Sequence, residues 1–412
     1  MKIIADFHIH SKYSRATSKD INLDNLARAA KQKGINLLGT GDFTHPAWYA
    51  HLRENLKEAE PGLFINKNND NGTRFILTSE ISCIFKKNDK VRKIHVLILA
   101  PSFEAVGKIN SKLAGLGNIH SDGRPILGMD VKDLLDIVLE ASPECLFIPA
   151  HCFTPWFSIF GSKSGFDSVQ ECFDDYSKYI YALETGLSAD PAMIWRTGDG
   201  QHLTLISNSD AHSVDKLGRE ANVFDCQMDY FEIAQAIKKK DKDKFLYTIE
   251  FFPEEGKYHY DGHRDCHVCM HPIESKKNGD LCPVCGMPLV IGVLNRAEAL
   301  AKEAQGFTPP GAIPYKSIIP LQEIIAHALG VSSISKKVKI EYQNMIKSLG
   351  SEFDILLDIS YDDINNSTKQ EIADAIMMVR QGKVEWDPGY DGVFGKIKIL
   401  NKNKISNQIK LL

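Results

Sequence analysis

A chain of 412 residues is too long for one ordinary hydrophobic core, and its 43% hydrophobic and 25% charged residues are typical of a globular protein with about two to three domains. Its net charge of -4 excludes a general electrostatic attraction for nucleic acid, so any DNA or RNA binding must use a local basic face. The first residues lack the pattern of a secretory signal and no apolar run reaches the ~18 residues of a membrane helix, so we expect a cytoplasmic protein with no membrane partner.

Up to about residue 247, short β-rich runs alternate with amphipathic helical stretches. The predicted strands cover residues 3–7, 35–40, 75–79, 94–100, 146–150, 181–184 and 203–207. The predicted helices cover residues 23–33, with Asn22 as a cap, and then 48–59, 103–116, 131–140 and 191–198. Repeated strand and helix units predict an α/β fold with a mostly parallel sheet, either open or closed into a barrel.

Potential metal ligands recur where these predicted strands end. The first strand ends in His8-Ile9-His10, and side-chain alternation places both imidazoles on one face, where they can grip one metal ion. Alone, this motif is more often a pair of ordinary polar residues, but other candidates follow later strands: Asp42, His45, Glu80, His151, Asp210 and His212. His95 starts an apolar run and is the exception. We expect these residues to meet at the carboxyl ends of the strands.

The composition of this set indicates its chemistry. Imidazole and carboxylate ligands together suit Zn, Mn or Fe, and a carboxylate can bridge two ions. Clustered divalent ions lower the pKa of a bound water and clamp the attacking and leaving oxygens of a phosphoryl displacement. The sequence therefore predicts metal-assisted hydrolysis of a phosphate ester, without a protein nucleophile.

After residue 247 the pattern changes, and residues 251–256 are predicted to form a linker. Two Cys-x-x-Cys knuckles follow, Cys266 with Cys269 and Cys282 with Cys285, separated by 12 residues. Four thiolates complete a tetrahedron, so this spacing predicts a structural zinc ribbon rather than redox dithiols. On this interpretation the nearby imidazoles of His263, His267 and His271 are solvated neighbours, and the other five cysteines are small buried side chains in a reducing compartment.

The motifs of residues 1–240 resemble those of the polymerase-and-histidinol-phosphatase (PHP) superfamily, in the order His8-Ile9-His10-Ser11, Gly39-Thr40-Gly41-Asp42, Glu80, His95-Val96-Leu97, His151 and Ser209-Asp210-Ala211-His212. The resemblance implies a distorted β/α barrel with two or three divalent metals, chosen from Zn, Mn, Fe or Mg.

Carried over by position, the resemblance implies one metal on His8, His10, Glu80 and Asp210, the catalytic set, and a second metal on Glu80, His95 and His151. His212 would serve a third metal. The chain departs from the family there, because Ser14 and Phe43 stand where histidines are expected, and Asp42 or His45 are the candidate substitutes.

A closer resemblance, to the endonuclease Q family, covers the whole chain. It rests on the PHP motifs, the ribbon, and the later segments 292–300 (GVLNRAEAL), 320–325 (PLQEII) and 388–392 (PGYDG). The resemblance implies a DNA repair endonuclease that nicks 5′ to uracil, hypoxanthine, xanthine and abasic sites, leaving 3′-hydroxyl and 5′-phosphate ends. Its partner is DNA with such lesions, and a replication clamp or downstream repair enzymes are further candidates.

Under this interpretation the chain divides into a PHP hydrolase domain (1–250), a four-cysteine zinc ribbon (251–293) and a mainly helical DNA-binding region (294–412). Helices are predicted at 294–304, 321–329, 340–349 and 369–381. The basic end of the chain contains no acidic residue after Gly395 and is either a solvated tail or edge strand, or a contact to phosphate: Lys396, Lys398, Lys402, Lys404 and Lys410.

The stretch that follows His151 has the composition of a base pocket. Aromatic rings can form the wall of a pocket for an extruded base, and a small polar loop can bind phosphate. The aromatic residues are Trp156, Phe157 and Phe160, and the loop contains Ser162, Lys163 and Ser164. The alternative is that the aromatic rings pack the barrel rim.

Two other functions remain open from the sequence. One is a PHP-type phosphatase for a small phosphoester, against which the ribbon and the basic end argue. The other is a zinc-ribbon adaptor that binds nucleic acid without activity, against which the complete ligand set argues.

Overall fold

The amino-terminal run forms a strand at the centre of a mixed sheet of 11 strands, in a computed structural model that describes residues 1–400. The strands are β1 (Lys2–Asp6), β2 (Leu37–Gly39), β3 (Leu56–Glu60), β4 (Leu63–Asn66), β5 (Arg74–Lys87), β6 (Lys90–Ala100), β7 (Ile126–Leu127), β8 (Leu146–Pro149), β9 (Ala182–Glu184), β10 (Thr204–Ile206), β11 (Ala221–Asp225), β12 (Phe245–Phe251), β13 (Asp261–His263), β14 (Val268–Met270), β15 (Tyr315–Ile318), β16 (Val384–Asp387) and β17 (Lys396–Ile399).

Helices alternate with the strands of the barrel and make up more than half of residues 319–400. They are α1 (Leu23–Lys33), α2 (Pro46–Asn55), α3 (Phe103–Ala114), α4 (Val131–Ala141), α5 (Val169–Phe173), α6 (Pro191–Ile194), α7 (Gly198–His202), α8 (Tyr230–Lys238), α9 (Pro272–Lys277), α10 (Val293–Leu300), α11 (Leu321–Leu329), α12 (Lys336–Leu349), α13 (Glu352–Leu357), α14 (Tyr361–Ser367) and α15 (Gln370–Arg380). No helix of residues 1–400 is long and apolar enough to cross a membrane.

The expected fold class is confirmed: a distorted α/β barrel, a small cysteine-rich unit and a mainly helical carboxyl-terminal region. The sheet is mixed rather than mostly parallel, however. β1, β2 and β5 run parallel, whereas β5 and β6 form a long antiparallel hairpin and β6 pairs antiparallel with β8. Both faces of β1 are buried, since Ile3 and Ala5 pack in one apolar cluster and Ile4 in the other.

Helix α1 shows how local sequence fixes an element. The Asn22 side chain accepts a hydrogen bond from the Asn25 N–H at 3.0 Å, which satisfies one of the free donors of the first turn. Gly34 ends the helix in the left-handed region, with φ of 90°. The apolar stripe between these caps, which includes Leu26 and Ala30, packs on the sheet.

The carboxyl-terminal region contacts the barrel through two elements. Strand β15 pairs parallel with β12, and the hairpin of β16 and β17 packs against the segment 251–256 that the sequence predicts as a linker. Gly389 donates a backbone hydrogen bond to the Glu254 carbonyl at 2.7 Å, and Gly395 donates to the Glu255 carbonyl at 3.0 Å. Lys396 and Lys398 lie on β17, while Lys402, Lys404 and Lys410 lie outside the described residues.

Candidate active site

Two buried imidazoles follow the end of β1 and lie close together. His8 and His10 are both fully buried, and Ile9, which points to the opposite face, packs in the apolar core. The neighbouring loop is fixed by Asp6, whose carboxylate accepts hydrogen bonds from the Ser209 hydroxyl at 2.6 Å and from the Ser209 N–H at 3.1 Å. This holds the residue that follows, Asp210, against the two histidines.

Four potential ligands from three elements meet here. The ligand atoms of His8, His10, Glu80 and Asp210 lie within 4.8 Å of one another. His10 Nε2 is 3.0 Å from Asp210 Oδ1 and 3.3 Å from Glu80 Oε2, and His8 Nε2 is 3.4 Å from the same Glu80 oxygen. This is the first set implied by the sequence.

The second set shares Glu80 with the first. Its other oxygen, Oε1, lies 2.6 Å from His95 Nδ1 and 3.0 Å from His151 Nε2. One carboxylate therefore faces both groups of imidazoles. The direction of β6 explains why His95 joins them: because β6 runs antiparallel to β8, Val96 in the middle of β6 pairs with Pro149 at the end of β8, which places His95 beside His151.

The donors of both sets fit divalent metal ions. His8 donates from Nδ1 to Glu184 Oε1 at 2.9 Å, which leaves the lone pair on Nε2, and this buried Nε2 has no hydrogen-bond partner within residues 1–400. Burial lowers the pKa of His95 to about 4, so its imidazole is uncharged at neutral pH, the form that binds a metal. Burial acts to raise the pKa of Glu80, but the neighbouring imidazoles and the permanent charge of Arg124 lower it well below its usual range.

Of the remaining predicted ligands, Asp42 supports the first set from behind. It accepts a hydrogen bond from His10 Nδ1 at 3.0 Å and others from the Ser11 N–H at 2.6 Å and the Ser14 hydroxyl at 2.8 Å. The hydroxyl of Ser14 thus occupies the position where the family resemblance predicts a histidine. Asp42 orients His10 and is not part of either ligand group.

His45 and His212 also lie outside the two ligand groups. His45 precedes α2, stacks on the Tyr13 ring at 4.3 Å and has Nε2 3.1 Å from the His120 carbonyl, so the structure does not bring this predicted ligand to the metal sets. Its position in the helix cap turns it away from them. His212 donates from Nδ1 to the Asp210 carbonyl at 2.8 Å, and its ring lies 4.5 Å from the His10 ring, at the open side of the first set.

The backbone is strained where it presents these groups. Asp42, His151 and Asp210 adopt positive φ angles of 49°, 29° and 46°, a backbone conformation that residues other than glycine rarely adopt. Gly186 packs against this region with φ of 78°, and a Cβ at that position would lie 2.5 Å from the His151 Cβ. The site is therefore held in place by its surroundings rather than by local preference.

Two residues that the sequence analysis does not single out belong to the site. Glu184, at the end of β9, binds His8 and also accepts the His151 N–H at 2.8 Å and the Asn208 amide at 2.9 Å. Arg124, in the loop before β7, lies 2.9 Å from Glu80 Oε2. The strand-end position of Glu184 is a signal that sequence reasoning could have weighted more strongly, whereas nothing in the pattern singles out Arg124.

The ligand sets open into a cavity of about 590 Å³. His95, His151 and Asp210 contribute to its wall, together with aromatic and basic residues from distant parts of the chain: Trp156, Phe157, Tyr258, Phe394, Arg124, Lys216, Arg219 and Lys257. The Trp156 and Tyr258 rings meet edge to face at 5.9 Å. The cavity therefore combines a metal-binding wall, aromatic faces and positive charge.

Only part of the predicted base pocket lines this cavity. Trp156 and Phe157 do, but Phe160 is buried against Phe153, with ring centroids 5.2 Å apart, as the rim-packing alternative predicts. The side chains of the polar loop do not line the cavity. The Ser162 hydroxyl donates to the Ile291 carbonyl, and the Ser164 hydroxyl donates to the Lys93 carbonyl. Lys163 is exposed to solvent outside the cavity.

The four cysteines lie close together in the small unit after β12, but the converging ligand atoms differ from the expected set. They belong to His263, Cys266, Cys282 and Cys285, all within 4.8 Å. Cys269 lies outside this group, and its thiol donates to the Pro388 carbonyl at 3.6 Å. In the β13–β14 hairpin Cys269 pairs with Gly262, and the next pair along contains His263, so the two side chains point to opposite faces.

Two thiols of this second cluster differ in acidity, and burial raises the pKa of Cys266 to about 12. Burial acts to raise the pKa of Cys282, but hydrogen bonds from the Cys285 and Val284 N–H groups lower it to about 6. The thiolate is therefore populated at neutral pH. One imidazole and three thiolates form an ordinary tetrahedral zinc set, so His263 is better placed as a ligand than as the solvated neighbour that the sequence suggested.

Comparison with known sequences places the whole chain among related proteins. Residues 320–383 match the family model of the MJ0043 C-terminal domain. The chain is 30% identical over 418 residues to the protein YqxK of Bacillus subtilis, covering 96% of this chain and 99% of that protein. It is 35% identical over 257 residues to the protein MJ0043 of Methanocaldococcus jannaschii, of whose length this match covers 31%.

Two solved structures align along almost the entire chain. One is the lesion-specific endonuclease PfuEndoQ from Pyrococcus furiosus, with a TM-score of 0.86, 32% identity and coverage of 99% of both chains. The other is an endonuclease Q in complex with a 27-mer duplex that carries an abasic lesion at the active site, with a TM-score of 0.86, 33% identity and coverage of 98% of both chains.

Proposed function

Because this chain belongs to the endonuclease Q family, we propose that it is a metal-dependent DNA repair endonuclease. The observation that carries the proposal is the position of Glu80, whose two oxygens face separate groups of imidazoles on the wall of one open cavity. Two ions about 3.5–4 Å apart on such a bridge are a recurrent arrangement for hydrolysis of phosphodiesters. A structural match along almost the full length of two solved endonucleases supports DNA as the substrate class.

The finer proposal concerns the bond that is cut. The protein hydrolyses the phosphodiester 5′ to a deaminated base (uracil, hypoxanthine or xanthine) or an abasic site, leaving 3′-hydroxyl and 5′-phosphate ends. Trp156 and Phe157 support this, since aromatic faces beside the ligand sets can stack on a base that leaves the duplex. A damaged or missing base is weakly paired, so its extrusion costs less free energy and contributes to selectivity.

Each proposed ion is assigned to a set of residues. His8, His10, Glu80 and Asp210 would hold one, Glu80 with His95 and His151 a second, and His212 is the remaining candidate for a third. Bound divalent ions lower the pKa of a water and neutralise the charge that builds up on the phosphate. The mixed imidazole and carboxylate donors are compatible with Zn, Mn, Fe or Mg. Metal analysis of the purified protein would identify the ions.

The protein itself positions these groups. Glu184 and Asp42 bind the Nδ1 atoms of His8 and His10, so that each ring presents Nε2 to the site. Arg124 extends from the cavity wall to Glu80 and adds a permanent positive charge beside the expected position of the phosphate. These contacts keep the geometry fixed before the substrate arrives.

The remaining parts of the chain are proposed to hold the duplex. We assign residues 1–250 to catalysis, the zinc unit of residues 251–293 to structure, and residues 294–412 to DNA binding. Support comes from the packing of β15 and of the β16–β17 hairpin against the barrel beside the cavity. Downstream repair enzymes or a replication clamp would receive the nicked product.

The test is a nicking assay on labelled duplexes with one uracil, hypoxanthine, xanthine or abasic site, in Mg²⁺ or Mn²⁺, with an undamaged duplex as control. We expect one nick 5′ to the lesion, and ligation should show 3′-hydroxyl and 5′-phosphate ends. Asp210→Asn should abolish nicking and leave duplex binding largely intact. Absence of cleavage together with turnover of a small phosphoester would establish a phosphatase instead.

A further inference from the structure

The side chain of Arg219 lines the active-site cavity. Its Nε is buried and has no hydrogen-bond partner, and no ion pair of Arg219 occurs within residues 1–400. The guanidinium lies 5.7 Å from the centre of the Phe251 ring. Keeping a partly buried positive charge without a partner costs free energy, so this arrangement favours an anion in the cavity.

Two lysines line the same cavity. Lys216 makes a single long ion pair, 3.8 Å from Glu323, and Lys257 lies 4.6 Å from the Phe394 ring with no ion pair in the described part of the chain. Negative charge offsets these groups only in part: Glu323 lies 3.8 Å from Lys216 and Asp210 belongs to the first ligand set, whereas burial raises the pKa of Glu255 to about 9 and leaves it neutral at pH 7. This part of the cavity is therefore positive.

We propose that Arg219, Lys216 and Lys257 form a phosphate subsite that binds a phosphate flanking the scissile one on the damaged strand. The inference rests on the proposed endonuclease activity and adds a second contact to the same strand. An arginine fork matches two oxygens of a phosphate diester, and lysines add charge without fixed geometry. Since Asp210 and His151 line the same cavity, a strand that reaches the metal ligands passes within reach of Arg219.

The subsite gives a reason for cutting at a fixed distance from the lesion. A strand held at one phosphate by metals and at a neighbouring phosphate by Arg219 is fixed in register, while Trp156 and Tyr258 form the aromatic wall of the same cavity. Arg219 would then be a positioning residue: its loss should weaken productive binding more than it slows the chemical step. Loss of an ordinary surface cation would instead weaken DNA binding only through the change in overall charge.

The experiment compares single-turnover nicking by metal-loaded wild type, Arg219→Met and Arg219→Lys on an abasic duplex. Arg53→Met, which removes an exposed arginine on α2, is the matched control for charge. For Arg219→Met we expect the enzyme concentration for half-maximal rate to rise about 10-fold and the salt dependence of binding to lose about one ion. The maximal rate should change less than about 3-fold, and Arg219→Lys should recover part of the loss.

Position is tested with duplexes that carry one neutral methylphosphonate at each phosphate near the lesion. In the wild type, one flanking position should be sensitive, with about a 10-fold loss of affinity, and Arg219→Met should show little further loss there. If no flanking position is sensitive in the wild type, or if Arg219→Met loses affinity equally at all positions, the subsite does not exist. The scan on wild type decides the question even if Arg219→Met fails to fold.

Two other results separate the alternatives. If Arg219 instead serves Glu255, whose buried Oε1 also has no partner, Arg219→Met and Glu255→Gln should change the unfolding midpoint in a coupled way and leave DNA affinity unchanged, which would overturn the subsite. If the wild type nicks no damaged duplex, the endonuclease proposal itself fails. Nicking with an unaffected Arg219→Met contradicts only the subsite.

Discussion

The Glu184 carboxylate accepts a hydrogen bond from His8 Nδ1 at 2.9 Å, with both groups buried at the end of β1 and β9. The same carboxylate accepts the backbone N–H of His151, which belongs to the second set. One side chain behind the site therefore fixes a residue of each proposed metal group. Such outer contacts set the orientation and tautomer of a metal-binding imidazole.

Replacing Glu184 with Gln should impair metal binding without unfolding the chain. The amide keeps the size but loses the charge that holds the proton on His8 Nδ1, so we expect a loss of about 10–100-fold in metal affinity or nicking rate. Titration with Mn²⁺, followed by nicking rate and by metal content, measures this. Glu104→Gln, on the exposed side of α3, is the matched control. Unchanged metal affinity in Glu184→Gln would show that Glu184 is only a packing residue.

The proposed zinc site of the cysteine-rich unit predicts different outcomes for Cys269 and His263. Cys269→Ser should keep one zinc per chain and the wild-type unfolding midpoint, because its thiol lies outside the converging group. His263→Ala and Cys282→Ser should lose zinc and stability, since a structural zinc contributes folding free energy. Zinc content and thermal unfolding of the intact protein measure both. The Co²⁺ spectrum gives an independent count, three thiolates or four.

The reverse result, with Cys269→Ser losing zinc and His263→Ala keeping it, would restore the four-cysteine site that the spacing predicts.

Sequence reasoning located most of the barrel and its ligands because the signals are local. Asn22 and Gly34 mark the ends of α1, and His8 and His10 alternate with buried residues at the end of β1. The ligand groups follow from strand ends and from the PHP resemblance, and the structure brings the same residues together.

Contacts that depend on chain direction could not be predicted in the same way. His95 looked exceptional because nothing local reveals that β6 runs antiparallel to β8. Spacing alone cannot show that the β13–β14 hairpin turns Cys269 away from His263. Phe160 and Trp156 lie four residues apart with similar chemistry, and only packing decides that the first is buried and the second faces the cavity.

Glu255 predicts a specific dependence of stability on pH. Burial raises its pKa to about 9 from 4.5, so between these values the folded state binds more protons than the unfolded state. The contribution of this group is therefore fully present below about pH 4.5 and falls by about 1.4 kcal/mol per pH unit as the pH rises toward 9. Glu255→Gln removes that slope.

The stability of Glu255→Gln relative to wild type should therefore increase with pH. Urea unfolding at pH 5, 7 and 8.5 measures the difference in the free energy of unfolding, with Glu104→Gln as an exposed control. A difference that is the same at all three pH values would mean that Glu255 is ionised in the folded protein, and the positive charge assigned to the adjoining part of the cavity would then be reduced.

The close approach of Gly186 to His151 gives a test of the second ligand set alone. A Cβ at Gly186 would lie 2.5 Å from the His151 Cβ, and φ of 78° is unfavourable for alanine, so Gly186→Ala must displace His151. We expect about a 10–100-fold loss of nicking and weaker binding of one metal per chain, measured by metal content across a chelator titration. Gly198→Ala, with no atom within 4 Å of its added Cβ, should behave as wild type. If Gly186→Ala nicks at the wild-type rate with full metal content, His151 tolerates displacement and is not a ligand.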